Sequence, residues 1–177
     1  MVKSAFEEKI RDYAIDEGIL GKSLPAEDNK LEFGYELNYP PNSPHPMKIM
    51  LIKLKDRKAV LLQLATQIAP PHIEGLKKVG TDGVFRYFEA FKKYMLVQNL
   101  LYNIDLQSSR YIISDTIYPD GFTEDRFYLT VRKLFNASLY MNTLLMEMIE
   151  GKIPIDSKSG SKNLDSNLFN AGNSMFT

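Results

Sequence analysis

A run of strict alternation between residues 30 and 39 restricts the fold more than any other feature of the sequence. In an extended chain, successive side chains point to opposite faces, so the apolar and polar residues of this run separate cleanly. The apolar side consists of Leu31, Phe33, Tyr35, Leu37 and Tyr39, and the polar side of Lys30, Glu32, Glu36 and Asn38. The alternation predicts a β-strand with one wet face.

Two further apolar runs follow this strand, over residues 47–54 and 59–68. The loop before them contains four prolines between residues 40 and 46, which cannot donate the hydrogen bonds of a sheet ladder. The two runs are separated by the polar sequence Lys-Asp-Arg-Lys at 55–58, a length typical of a hairpin connection. The sequence therefore predicts three consecutive antiparallel strands.

The first and last helices carry recognisable end signals. Ser4 and Glu7 form a capping box, and apolar residues then recur at helical spacing until Gly18. Thr123 is placed to cap the last helix, whose apolar residues follow a three-four spacing as far as Gly151, a residue suited to a helix C-terminus. These signals predict a half-buried first helix and a long amphipathic last helix.

The middle of the chain leaves an alternative open. A short helix is expected after the first sheet section, and Thr81 or Asp82 is expected to cap the next helix. That helix can run without interruption to Asn103, but residues 101–106 also alternate, and residues 110–118 are rich in the β-branched and aromatic types that strands prefer. We favour the second reading, which predicts a second hairpin.

Composition indicates an ordinary globular chain. Of the 177 residues 44% are apolar and 25% are charged, and the 22 basic and 22 acidic residues leave no net charge to attract nucleic acid or a membrane. The absence of cysteine excludes disulfides, thiolate metal sites and cysteine nucleophiles. We expect a single α+β domain over residues 1–151, a polar flexible tail over 152–177, a cytoplasmic location and no membrane span.

The predicted order is helix, three strands, helix, two-strand hairpin and long C-terminal helix. The most specific part is the segment 111–134, where a strand, the sequence Tyr-Pro-Asp-Gly-Phe-Thr at 118–123 and a long amphipathic helix follow one another. Over about residues 4–150 this organisation resembles the fold of type III secretion chaperones and of the related YbjN-like proteins. The resemblance implies a protein that forms homodimers and binds extended segments of other proteins.

The sequence contains no recognisable catalytic, cofactor or metal site. Its two histidines, His45 and His72, are too few for a three-histidine metal centre, and both are expected in loops. The glycines at 80 and 83 precede a helix but lack the following Lys-Ser/Thr of a phosphate loop. Asp120, Glu124 and Asp125 lie at a helix start, where the helix dipole favours acidic residues. We expect no cofactor and no bound metal.

The function expected from these observations is that of a non-enzymatic protein-binding or chaperone-like module. An enzyme with an unconventional site is one alternative. A small RNA-binding module is another, because basic residues concentrate at the tip of the first hairpin. These residues are Lys53, Lys55, Arg57 and Lys58. Nucleic acid is not the expected partner, since no aromatic RNA-binding motif accompanies the basic cluster.

The second strand has two apolar faces, of which only one can meet the helices. The face with Met47, Ile49 and Leu51 runs into Lys53, so we predict that it is the outer face. In the next strand, Val60, Leu62 and Leu64 are expected to point inward and Leu61 outward. Ile49, Leu51 and Leu61 are therefore predicted to form an exposed patch that binds a partner or a second subunit. Leu51→Glu is expected to weaken association without unfolding the chain.

Overall fold

The structure is a computed structural model, and it describes residues 4–25, 30–105 and 107–152. Within these residues the chain forms helices α1 (Ala5–Asp16), α2 (Pro70–Val79), α3 (Thr81–Val97) and α4 (Glu124–Ile149). Its strands are β1 (Leu20–Ser23), β2 (Leu31–Tyr39), β3 (Met47–Leu54), β4 (Val60–Gln67), β5 (Leu101–Asp105) and β6 (Arg110–Ile117). A single 3₁₀ turn, Pro119–Gly121, joins β6 to α4.

The strands form one sheet in the order β1-β2-β3-β4-β6-β5, and all neighbours are antiparallel. The predicted α+β fold is confirmed, including the first hairpin and the second one. In the second hairpin the Asp105 carboxylate accepts hydrogen bonds from the backbone N–H groups of Gln107 and Ser108 at 3.0 and 3.1 Å. These bonds stabilise the turn between β5 and β6. Helix α3 ends at Val97 and does not continue to Asn103, and Asn99 just beyond it has a φ of 51°.

Two details of the element prediction differ from the structure. Strand β1, Leu20–Ser23, was not predicted, because four residues beside a glycine carry too short a pattern to recognise. Helix α3 begins at Thr81 with Gly80 as its N-cap, so neither Thr81 nor Asp82 caps it. Gly80 has a φ of 85°, a left-handed conformation that glycine adopts without strain and that other residues avoid.

The predicted ends of α1 and α4 are confirmed by their hydrogen bonds. The Ser4 hydroxyl accepts from the backbone N–H of Glu7 at 3.1 Å, and the Thr123 hydroxyl accepts from that of Arg126 at 3.2 Å. At the other end of α4, the Gly151 N–H donates to the carbonyl of Met148, with Gly151 at a φ of 70°. Each bond satisfies a backbone group that a helix end would otherwise leave unpaired.

All four helices lie on the same face of the sheet, which we call the inner face. Its side chains come from alternate positions of the strands and form one buried apolar cluster with the helices. Helix α1 is held there by the hydrogen bond from the Tyr35 hydroxyl on β2 to Glu7 at 2.6 Å. Helix α3 is held by Phe91, whose ring packs edge-on against Tyr111 of β6 with the centroids 5.2 Å apart.

Helix α4 crosses the centre of the sheet and is tied to it by polar contacts as well as by its apolar stripe. The Ser138 hydroxyl is 3.2 Å from that of Thr66 on β4 and 3.5 Å from that of Tyr111 on β6. The Tyr111 hydroxyl also donates to the side-chain carbonyl of Asn142 at 3.3 Å. Buried polar groups must find partners, so these contacts restrict where the helix can lie along the strands.

A second polar tie joins the other half of α4 to β6. Asp115 points to the inner face and is buried, with its carboxylate 2.6 Å from the ammonium of Lys133 and 3.6 Å from the guanidinium of Arg126. A buried carboxylate is costly unless cations lie beside it. Both cations belong to α4, so the helix has to remain over Asp115 for the charge to be compensated.

The contact between Tyr35 and Glu7 makes the folding stability fall as the pH becomes alkaline. Burial, followed by the hydrogen bond to Glu7, raises the pKa of Tyr35 from 10.0 to about 12. The folded protein therefore holds this proton more tightly than the unfolded chain, and the resulting stability is present below pH 10.0 and is lost as the pH rises towards about 12. We expect Tyr35→Phe to show a smaller fall in melting temperature over this range than the wild type.

Thermal melts followed by circular dichroism measure this difference. Tyr118→Phe serves as the matched control, because Tyr118 is exposed and loses no buried hydrogen bond. A Tyr35→Phe curve parallel to the wild-type curve over the alkaline range would contradict the assignment.

Candidate partner-binding face

The face of the sheet opposite the helices, which we call the outer face, carries a group of apolar side chains. No helix within the described residues lies over it. The group, which we call the outer apolar cluster, consists of Leu24, Leu31, Met50, Ile52, Leu54 and Leu61. Each of these side chains is half-buried, and none belongs to the apolar residues that pack against the core.

Strand register brings these side chains together. Ile52 lies opposite Leu61 in the β3–β4 pair and opposite Gly34 in the β2–β3 pair. Residues opposite each other on one face of a sheet are close enough for their side chains to touch. Gly34 has no side chain, and Leu24 packs over it so closely that a Cβ on Gly34 would lie 2.8 Å from a Leu24 methyl group. The cluster therefore spans three adjacent strands.

Two of the three residues predicted to bind a partner lie on the wrong face for that role. Ile49 and Leu51 are 0% exposed and belong to the core, so the prediction that they form an exposed patch is wrong. Leu61 does point to the outer face, and Val60, Leu62 and Leu64 point inward as predicted. The residues of β3 that sequence reasoning missed are Met50, Ile52 and Leu54.

Lys53 is the reason for the error. The prediction assumed that the face running into lysine is exposed, yet Lys53 lies on the inner face and is only 8% exposed. Its ammonium reaches the rim of the core and donates to the Glu32 carboxylate at 2.7 Å and to the backbone carbonyls of Leu54 and Arg57 at 2.9 and 2.7 Å. A long lysine stem can cover apolar surface while its charged end finds polar partners.

Strand β2 shows which face of β3 is buried once the pairing of the two strands is known. Its alternation identified the inner face from Phe33 onwards, whereas a register shift between Leu31 and Phe33 places Leu31 on the outer face. Tyr35 and Leu37 pair with Leu51 and Ile49 across the β2–β3 ladder. Paired residues share a face. The pairing could not be read from the sequence, because the proline-containing loop between the two strands hides the register.

Charged residues flank the outer apolar cluster at both ends of β3. At one end the Glu36 carboxylate lies 3.2 Å from the ammonium of Lys48 and 3.8 Å from that of Lys22, so the two cations there share one carboxylate. At the other end the β3–β4 turn carries Lys55 and Lys58 with Arg57. The cluster is thus apolar in its centre and basic at the hairpin tip.

The residues considered for catalysis and metal binding are not brought together. His72 lies within α2 and not in a loop as expected, and His45 lies in the exposed loop between β2 and β3. Glu124 and Asp125 occupy the first turn of α4 as expected, with Asp120 in the preceding 3₁₀ turn. Within the described residues, no three His, Cys, Asp or Glu side chains are grouped as a metal would require.

Two other predictions concern a membrane span and the C-terminal tail. None of the helices in the described ranges has the length and apolar character that crossing a membrane requires. The expected polar tail lies outside the described residues, apart from Lys152.

An antiparallel sheet with helices on one face and an apolar cluster on the other defines the class to which this chain belongs. It is the α+β fold predicted from the order of elements. Residues 6–145 match the family described as "Uncharacterized conserved protein (DUF2299)". The chain belongs to this family. No curated protein matches the chain.

Two solved structures share the fold, and a third is more distantly similar. An uncharacterised protein from Methanothermobacter thermautotrophicus is 22% identical, with a TM-score of 0.73 over 81% of this chain and 99% of that chain. A chain in the crystal structure of the ExsC–ExsE complex is 18% identical to this chain. Its TM-score is 0.53, over 80% of this chain and 97% of that chain. YbjN from E. coli is 11% identical, with a TM-score of 0.41 over 86% of this chain and 94% of that chain.

The two faces of the sheet should respond differently to a charge. Leu51→Glu places a carboxylate in the apolar core. We expect this to cost roughly 3 kcal/mol or more of folding stability, because a buried charge without a partner is poorly solvated. Leu61→Glu places the same group on the outer face, where water can solvate it, and we expect a loss below about 1 kcal/mol. Urea unfolding of both variants measures the difference. Similar losses would contradict the assignment of the faces.

Proposed function

We propose that this protein is a non-enzymatic protein-binding module that holds an extended segment of a partner protein on the outer face of its sheet. The observation that carries the proposal is the outer apolar cluster, which lies on a sheet face without a helix over it in the described residues. A contiguous apolar patch that remains in contact with water is typical of an interaction site. The proposal includes the cytoplasmic location expected from the sequence.

The similar structures support this kind of role without identifying a partner. The ExsC–ExsE complex, which shares the fold, is an assembly of two proteins. The expected likeness to secretion chaperones implies the same mode of action, in which the protein binds an extended segment of another protein. An RNA-binding module remains the alternative, because the basic hairpin tip borders the same face.

The binding free energy that the outer apolar cluster can contribute is too small to hold a partner by itself. Burying a fully exposed apolar side chain contributes roughly 1.5–3 kcal/mol. The cluster residues are already half-buried, so each adds only a fraction of that value. Association costs about 4–15 kcal/mol in lost freedom. A stable complex therefore needs contacts beyond the cluster, from main-chain hydrogen bonds or from charged groups.

Capture of partners from a native lysate tests the proposal. We expect Ile52→Glu to reduce the amount of any captured partner by about tenfold or more, because an unpaired carboxylate would have to be desolvated in the contact. Leu129→Glu is the matched control, since Leu129 is an exposed leucine of α4 on the helix side of the sheet. Mass spectrometry with and without nuclease identifies the bound species.

The result would contradict the proposal in two cases. Equal capture by the wild type, Ile52→Glu and Leu129→Glu would remove the outer face from the binding site. Loss of all captured species after nuclease treatment would favour the RNA-binding alternative.

We also propose that the protein forms a homodimer, and that the second copy binds at the corner between α3 and β5. Three large apolar side chains are highly exposed there, Leu96 at 72%, Val97 at 80% and Leu101 at 59%. Strand β5 is an edge of the sheet and contains neither lysine nor proline, the residues that usually protect an edge from pairing. The corner therefore offers both apolar surface and unpaired backbone groups.

Two-fold symmetry makes a second copy a suitable occupant of this corner. In an isologous dimer the same patch is used on both subunits, so three residues supply six buried side chains. At roughly 1.5–3 kcal/mol for a fully exposed side chain, six of them contribute about as much as association costs. A partner without its own apolar patch would gain only half of this.

Light scattering of Val97→Lys tests the dimer. A lysine at the end of α3 is compatible with the helix dipole, so we expect the variant to fold normally and to show half the wild-type mass. Phe85→Lys is the matched control, because Phe85 is exposed at the opposite end of α3. A wild-type protein with the mass of one chain would contradict the proposal.

A further inference from the structure

A cleft of about 460 Å³ lies at the end of the outer apolar cluster, between the β3–β4 turn and the β6–α4 corner. Its walls combine basic side chains, two carboxylates and one exposed aromatic ring. They are formed by Lys53, Lys55, Asp56, Arg57, Lys58, Tyr118, Pro119 and Asp120.

Lys53 holds the turn in the conformation that forms the cleft. Its ammonium binds the carbonyls of Leu54 and Arg57 from the inner side, at 2.9 and 2.7 Å, and the Glu32 carboxylate at 2.7 Å. The three hydrogens of an ammonium are thereby used. Lys53 therefore supports the turn, and the remaining cations of the cleft are the ones available to a ligand.

These remaining cations, Lys55, Arg57 and Lys58, form no ion pair with any carboxylate in the described part of the chain. At the opposite end of the same face, Lys22 and Lys48 share the Glu36 carboxylate. The cleft thus carries three exposed cations that form no ion pair with a carboxylate of the described residues.

The β3–β4 turn, which forms one wall of the cleft, joins two strands of the outer apolar cluster. Leu54 of the cluster directly precedes Lys55, and Leu61 lies at the start of the strand that follows Lys58. An extended segment advances about 3.3 Å per residue and points alternate side chains to the same side. A segment lying on Ile52 and Leu54 would therefore reach the cleft within a few residues.

We propose that the partner segment carries apolar side chains at alternate positions, followed by acidic side chains that bind Lys55, Arg57 and Lys58 in the cleft. This inference rests on the proposed function, because it specifies the chemistry of the segment held by the outer face. Clusters of arginine and lysine recognise acidic motifs through charge-assisted hydrogen bonds. The acidic contacts supply the additional binding energy that the apolar cluster lacks.

The surface favours such a segment over nucleic acid. A phosphate backbone would use the three cations but would gain nothing from the neighbouring apolar cluster. A peptide with apolar and acidic halves uses both surfaces at once.

Selection of random peptides displayed on phage against the full chain tests this chemistry and does not require the natural partner to be identified first. We expect the enriched sequences to contain alternating apolar residues and to carry Asp and Glu several-fold more often, on one side of the apolar part, than the unselected library. A triple variant combines Lys55→Glu, Arg57→Glu and Lys58→Glu. Peptide selection with this variant as the target should abolish the acidic enrichment and retain the apolar pattern.

A charge-matched control separates the cleft from net charge. Reversal of Lys77, Lys78 and Lys92, which are exposed on α2 and α3, changes the total charge by the same amount and should leave the acidic enrichment intact. Thermal melts of both triple variants establish that they are folded. Conversion of the three cleft cations to glutamine provides a milder variant with the same expected loss.

The outcomes distinguish this inference from the proposed function. Enriched peptides with the apolar pattern but without acidic residues would overturn the inference and leave the proposed function standing. If the cleft variant retains the acidic enrichment, the acidic contact lies elsewhere and the inference is also overturned. No enrichment at all would overturn both. A labelled single-stranded RNA that binds the wild type but not the cleft variant, without acidic enrichment of peptides, would assign the cleft to nucleic acid.

Discussion

The attachment of α4 to the inner face of the sheet is the constraint on which the rest of the structure depends. Its apolar stripe covers β4 and β6, and two polar ties restrict its position. One is made by Ser138 in the second half of the helix, and the other by Lys133 in the first half, which pairs with Asp115 of β6. A helix that lies across the central strands leaves room for the other helices only beside it. The inner face is therefore filled, and the protein has one core on one side of its sheet.

A one-sided core has a direct consequence for function. The strands must present every second side chain to the opposite face, and near the β3–β4 hairpin several of these side chains are apolar. They are partly shielded by their neighbours in the sheet, which explains why Ile52 and Leu61 are half-buried without contacting the core. Such a surface is stable enough to remain in contact with water and apolar enough to bind a partner. At the hairpin tip, Lys55, Arg57 and Lys58 form no ion pair within the described residues, so one end of this surface is basic.

The two proposed contact regions use different parts of the sheet and are compatible with each other. The outer apolar cluster lies on β2, β3 and β4, whereas the exposed corner with Leu96 and Val97 lies beside the edge strand β5, beyond β6 in the strand order. A dimer formed through the corner would leave the outer face free in both subunits. Each subunit could then hold a segment of a partner, and binding at the two sites would be separable by mutation.

The sequence by itself determined the order of the elements apart from β1, and it determined the start of α1 and both ends of α4. Capping by Ser4 and Thr123 and the turn at Gly151 are contacts between residues a few positions apart, so the information is local and can be read from the chain. The alternation in β2 likewise identified the inner face of that strand. The tertiary structure decided which face of β3 is buried, since that depends on the β2–β3 register across a proline-rich loop. It also placed Lys53 on the inner face, where its ammonium finds partners from two strands and a turn. A charge at the rim of a core is stable only when such distant groups converge on it, and no periodicity in the sequence records that convergence.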